Sequence, residues 1–219
     1  LLFACVLMCF FVLFILSNQK TSAKEPTNLS EKKAQIDNYY KTREYQKDLV
    51  LKINQAKKDL SFILSHKHKK QLAAVFDIDD TLLSSYKCNK DIQFGYSDSH
   101  FRSCAKKNEF TPIKPTIKFY KQLRAAGIKT FIVTGRKEKD RALAIKNLKS
   151  IGINHWNGLY LKPNNYHKKS TINYKDSIRK KLWDKGYYIL FSIGDQWSDL
   201  KGGYAKYLIK LPNPMYYIP

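Results

Sequence analysis

An α/β fold, a mainly parallel central sheet with helices on both faces, is what this 219-residue sequence predicts. Three observations carry that prediction. From Leu72 onward, short apolar runs of strand length alternate with longer stretches of helical periodicity. The helical stretches stop at Gly127, Gly152 and Gly186, residues suited to the backbone that ends a helix. The first apolar run, Ala73-Ala74-Val75-Phe76, lacks polar alternation, as a strand buried on both faces should. Sheets of this kind collect their ligands at the carboxyl ends of the strands.

Taken in order, the chain opens on an uncharged apolar run from Leu1 to Leu16, followed by Thr21-Ser22-Ala23, small residues suited to cleavage. Residues 1–23 read as an export signal, with an uncleaved membrane anchor as the alternative, so the protein is expected to be periplasmic or secreted. Residues 24–71 form a charged extension with Ile36, Tyr39, Tyr40, Leu49, Ile53, Leu60 and Ile63 at helical spacings, predicting one or two amphipathic helices. The main domain, 72–219, is expected to hold strands at Leu72–Asp77, Lys129–Thr134, Gly158–Leu161, Tyr187–Ile193 and Tyr207–Leu211. Helices fit Pro115–Ala126, Lys137–Ser150 and Thr171–Lys185.

Between residues 84 and 111 the alternation breaks into a polar, aromatic insertion placed over the end of the first strand, where a lid or selecting loop would sit. Its aromatics Tyr86, Phe94, Tyr96 and Phe101 either stack on a ligand or hold the insertion together. Cys88 and Cys104 fall in the same stretch; in an exported chain they can close a disulfide, two free thiols being the alternative.

A formal net charge of +22 raises the question of nucleic acid. The cations are 34 lysines against 6 arginines, scattered along the chain with no arginine-rich element. The densest run, His66-Lys67-His68-Lys69-Lys70, is short and precedes the first core strand, as a solvated linker would. Nucleic acid is therefore not expected as the main partner, whereas attraction of small anionic substrates remains consistent with the charge.

The most informative segment is Phe76-Asp77-Ile78-Asp79-Asp80-Thr81, where a buried strand ends in three acids. Buried carboxylates are costly unless a site or a partner needs them. Asp77 and Asp79 can converge on one reacting group, one as nucleophile and the other as proton carrier, with a divalent cation in reach. An acidic turn or helix cap is the alternative. Thr134-Gly135-Arg136 closes the second strand with a hydroxyl and exposed amides suited to phosphate oxygens, or with a simple turn. The fourth strand runs into Gly194-Asp195-Gln196-Trp197-Ser198-Asp199, which places Asp195 as a further oxygen ligand and Asp199 in support. A cation is also needed beside these acids. Lys175 shares a helical face with Ile178 and Leu182 and so points inward; Lys168 and Lys169 are the runners-up.

These four motifs, in this order, resemble those of the haloacid dehalogenase superfamily of phosphohydrolases. Tyr174-Lys175 with Arg179, Gly194-Asp195-Gln196-Trp197-Ser198-Asp199-Leu200 and Leu211-Pro212-Asn213-Pro214-Met215-Tyr216-Tyr217 look like its acid phosphatase branch, which includes plant acid phosphatases, vegetative storage proteins and bacterial class B and lipoprotein acid phosphatases. The resemblance implies a Rossmann-like fold and a Mg²⁺-dependent acid phosphatase acting on small phosphomonoesters, nucleoside monophosphates among them. It further implies Asp77 as nucleophile and Asp79 as acid and base. Asp77, Asp195 and the Asp79 main-chain carbonyl would hold the metal, and Thr134, Gly135 and Lys175 the phosphate. A catalytically weak storage protein and a phosphotransferase to alcohols are the alternatives on the same scaffold.

Overall fold

The computed structural model describes residues 26–65, 70–168 and 170–218. The expected export segment, most of the basic run and the runner-up Lys169 lie outside the described residues. Lys33–Pro219 form one compact unit. Two helices come first, α1 (Leu29–Lys41) and α2 (Glu44–Leu64), then strand β1 (Gln71–Phe76). The insertion contains β2 (Leu83–Ser84), α3 (Tyr86–Asp91), α4 (Asp98–Lys107) and β3 (Thr111–Pro112). Alternation then resumes with α5 (Lys114–Ala125), β4 (Lys129–Lys137), α6 (Arg141–Ser150) and β5 (Gly158–Lys162). It ends with α7 (Ile172–Asp184), β6 (Tyr187–Gly194) and β7 (Ala205–Lys210). Among the described residues no helix is long and apolar enough to cross a membrane.

The five main strands form one parallel sheet in the order β5-β4-β1-β6-β7, so β1 is central, with β4 and β6 as neighbours. Strand periodicity divides the core in two. Ala74, Phe76 and Ile132 join the cluster that contains α2 and α5, while Ala73, Val75, Phe131 and Val133 join Tyr174 and Leu182 of α7 on the opposite face. Within α2, Leu49, Ile53, Ala56 and Leu60 make a buried stripe at three- and four-residue spacings. They share a cluster with Phe119 and Leu123 of α5. Each such Leu, Ile or Phe contributes roughly 1.5–3 kcal/mol by leaving water.

Two expectations need correction. The helix expected at Lys137–Ser150 begins only at Arg141, after a 3-10 turn at Glu138–Asp140. β4 instead runs on through Thr134-Gly135-Arg136, and Lys137 pairs with Lys162 of β5; sheet pairing decides a stretch that has no strong preference of its own. The insertion is not irregular but two short helices on a two-stranded antiparallel ribbon, β2 with β3. Cys88 and Cys104 are joined in a disulfide linking α3 to α4. Most of the insertion aromatics are internal contacts. Tyr86 stacks on Tyr40 of α1 with centroids 4.1 Å apart, and Phe101 lies 4.9 Å from Phe110. Phe94 lies 6.3 Å from Tyr86, whereas Tyr96 is 87% exposed.

Candidate active site

The acids meet where β1 and β6 end side by side. Pairing continues one residue past β1, Asp77 N donating to Ile193 O at 3.0 Å, which fixes Asp77 at the sheet edge. The chain then tightens: Ile78 O accepts from the amides of Thr81, Leu82 and Leu83 at 3.3, 2.8 and 3.0 Å. Asp80 turns the chain with φ at 52°, a left-handed conformation that Asp tolerates better than branched residues.

On the other strand, Gly194 is required by a close approach. A Cβ there would sit 2.3 Å from Asp199 Cβ and Oδ2, so only glycine lets the Asp199 side chain fold back over the end of β6. Asp77, Asp195 and Asp199 are all buried, and their nearest oxygens lie within 4.8 Å of one another. Lys175 Nζ reaches across from α7 to Asp77 Oδ1 at 2.6 Å and also contacts Asp199 Oδ1. Two of the three buried carboxylates thus share one ammonium, with Asp195 beside them. Burial, with Asp199 and Asp79 nearby, pushes Asp77 up to about 7 against the opposing pull of Lys175. Burial, then Asp199, Asp80 and Asp77, push Asp195 well above the usual carboxylate range. Burial alone would lower Lys175, but Asp199 and Asp77 outweigh it and hold it above the ordinary lysine range. This uncompensated negative charge, on hard oxygen donors, fits a divalent cation.

The sequence-derived residues are not all gathered in the same way. Asp77, Lys175, Asp195 and Asp199 form the buried cluster. The Asp79 side chain turns away from it: Arg136 Nε donates to Asp79 Oδ2 at 2.9 Å and Nη2 to Oδ1 at 2.6 Å. Thr134 is fully buried, its Oγ1 accepting from Arg136 N at 3.1 Å. Gly135 is partly exposed, with only the Thr171 methyl within 4 Å of where a Cβ would stand. Lys168 is exposed.

Sequence reasoning quoted several residues without seeing their work. Arg136 is buried, forks onto Asp79, and donates through Nη1 to Asn147 Oδ1 at 2.8 Å. Arg179 is fully buried and donates to the carbonyls of Asp199 at 2.7 Å and Gly203 at 2.9 Å, pinning the loop beyond β6. Asp80 accepts from Ser85 N at 2.9 Å and Tyr216 Oη at 2.6 Å, tying the insertion to the segment after β7. Burial pushes Asp80 up to about 6, opposed by Ser85 and Tyr216. A signal existed for Arg136 and Arg179, two of only 6 arginines among 34 lysines, because a fork held in fixed geometry requires arginine.

Comparison with known proteins decides the family. The family model described as HAD superfamily, subfamily IIIB (Acid phosphatase) matches residues 15–219. The chain belongs to this acid phosphatase family. Acid phosphatase 1 of Solanum lycopersicum is 35% identical over 148 residues, covering 66% of this chain and 58% of that protein. Vegetative storage protein 1 of Arabidopsis thaliana is 38% identical over 149 residues, covering 66% and 55% respectively. The chain therefore spans little more than half the length of these curated relatives. The crystal structure of the class C acid phosphatase from Bacillus anthracis with tungstate bound superposes with a TM-score of 0.70 over 86% of each chain; at 22% identity this is likeness of fold. HAD superfamily members generally use a divalent metal, in keeping with the acidic cluster of this acid phosphatase family member.

Proposed function

We propose that this chain is a Mg²⁺-dependent acid phosphatase that hydrolyses small phosphate monoesters in two steps through an aspartyl-phosphate. One observation carries the reading: the Lys175 ammonium bridges Asp77 and Asp199 beside Asp195 at the carboxyl edge of the central strand. The carboxylate of Asp77 attacks phosphorus, the ester P–O bond breaks, and the leaving alcohol takes a proton from Asp79. Asp79 then takes a proton from water, whose oxygen attacks the aspartyl-phosphate, releasing inorganic phosphate and restoring Asp77. Each Asp79 oxygen accepts one N–H from Arg136, which orients the carboxylate and leaves a second lone pair on each oxygen to carry the proton.

Thr134, the Gly135 amide and Lys175 are assigned to the phosphoryl oxygens, where charge accumulates in the transition state. Asp77, Asp195 and the Asp79 main-chain carbonyl would hold Mg²⁺, which supplies the charge that offsets repulsion between nucleophile and substrate. Residues 1–23 are assigned to export, 24–71 to a helical extension and 72–219 to the catalytic domain. The Cys88–Cys104 disulfide supports an oxidising compartment.

The test is hydrolysis of p-nitrophenyl phosphate at about pH 5 to 7. Asp77→Asn should lower turnover by at least about three orders of magnitude, as loss of a nucleophile does, while leaving a folded protein. Equal activity in that variant would falsify the assignment. Excess EDTA should likewise silence the unaltered enzyme. A storage role on the same scaffold is the competing reading, favoured by the 38% identity to vegetative storage protein 1. It predicts a folded, metal-replete chain without turnover.

A further inference from the structure

The segment after β7 folds back onto the site, where Tyr216 reaches Asp80 and Asn213 reaches Oδ2 of Asp195. Two side-chain amides donate to it, Gln196 Nε2 and Asn213 Nδ2, each at 2.7 Å. Which end of each amide faces Asp195 is set by the backbone. Met215 N donates to Asn213 Oδ1 at 2.8 Å, and Ile218 N donates to Gln196 Oε1 at 2.9 Å. With both amide oxygens occupied by N–H donors, both NH₂ groups are turned toward the carboxylate. A carboxylate oxygen offers two lone pairs, so these two donors saturate Oδ2. Among the described residues Oδ1 accepts only from Thr81 Oγ1, at 3.4 Å. Asp77, the other carboxylate assigned to the cation, has its Oδ1 engaged by Lys175 at 2.6 Å.

We infer that the Gln196–Asn213 amide pair is a metal-selecting clamp: it restricts Asp195 to one-oxygen coordination and so favours Mg²⁺ over Ca²⁺. This rests on the metal reading proposed above and adds the residues that set its selectivity. The physical reason is coordination chemistry. Mg²⁺ takes six ligands in a tight octahedron, is content with single carboxylate oxygens, and keeps several waters. Ca²⁺ takes six to eight oxygens and gains from bidentate carboxylates. Closing Oδ2 removes the bidentate option at Asp195. Asn213 and Gln196 touch no reacting atom in this scheme; they are positioning residues acting through Asp195.

The test is calorimetric titration of MgCl₂ and of CaCl₂ into the chelator-stripped full chain. Asn213→Ala removes one donor to Oδ2. Asn213→Asp removes the same donor while keeping the acceptor for Met215 N, and Gln196→Glu does the same for the other arm while keeping the acceptor for Ile218 N. In each variant the ratio of the Ca²⁺ to the Mg²⁺ dissociation constant should fall by about ten-fold or more, the size expected for loss of a supporting partner at a metal site. A ratio within about two-fold of the unaltered chain, in any variant whose thermal melt in EDTA shows it folded, overturns the clamp. If the unaltered chain takes up neither ion, the metal reading itself fails and the clamp with it. Mg²⁺ uptake by the unaltered chain with an unmoved ratio in the variants defeats the clamp alone.

Discussion

Lys175 shows how one side chain can determine the character of a site. Its ammonium is the only cation contacting Asp77 and Asp199 among the described ion pairs, with side-chain exposures of 5%, 8% and 4% for Lys175, Asp77 and Asp199. Removing one member of a buried ion pair leaves the rest uncompensated, typically at a cost of about 3 kcal/mol or more. Lys175→Met should therefore lower the urea unfolding free energy at neutral pH by about that amount, and most of the loss should disappear near pH 5, where Asp77 can take up a proton. A deficit of equal size at both pH values would show that Lys175 acts by packing and not by charge. The inward direction of Lys175 was legible from its helical spacing with Ile178 and Leu182. Its two partners were not, because they come from β1 and from the loop after β6.

At the level of elements, the turn after β6 is the most constrained part of the site. Gly194→Ala would put a methyl 2.3 Å from Asp199, whose carboxylate also accepts from Gln196 N at 2.8 Å, so the strand end and the acid cannot both stay. Overpacking of that kind costs about 1–3 kcal/mol, and the variant should also lose Mg²⁺-dependent stabilisation. Gly135→Ala, whose nearest neighbour is a methyl at 3.8 Å, should melt within about 0.5 kcal/mol of the unaltered protein. Differential scanning calorimetry with and without Mg²⁺ separates the two; equal losses would remove the steric argument. The glycine after the fourth strand was visible in the sequence, but its crowding by Asp199 was not, since a turn of two or more forms puts that side chain in different places. The end of β4 was misjudged for a related reason. Residues 134–137 have no strong preference of their own, and pairing with β5 together with the Arg136–Asp79 fork draws them out as strand.

Across the whole molecule, the gathered carboxylates make stability depend on pH in an unusual sense. Asp77 is raised to about 7, Asp80 to about 6, and Asp195 well above the usual range, so between about pH 4 and pH 7 these three carboxyls hold more protons in the metal-free folded chain than in the unfolded one. Groups raised in this way contribute stability that is full below their unfolded value near 3.8 and is lost as pH rises through the folded one. The melting temperature in EDTA should therefore rise as pH falls from about 7.5 to 5, and Mg²⁺ should stabilise most at the upper end, where the carboxylates are ionised. A melting temperature in EDTA that falls over that range would contradict the charge balance described here.

The sequence by itself determined the alternation of strands and helices, the strand ends at which Asp77 and Asp195 stand, and the family whose motifs they share, because each is a local pattern of burial, spacing and residue type. Only the tertiary structure decided which carboxylates share Lys175, that Arg136 holds Asp79, and that Asn213 closes one oxygen of Asp195. Those pairings join residues 18 to 98 positions apart, and no periodicity carries information across such a separation. They exist because five strands of one sheet bring their ends to a common edge, where buried charge must find a partner.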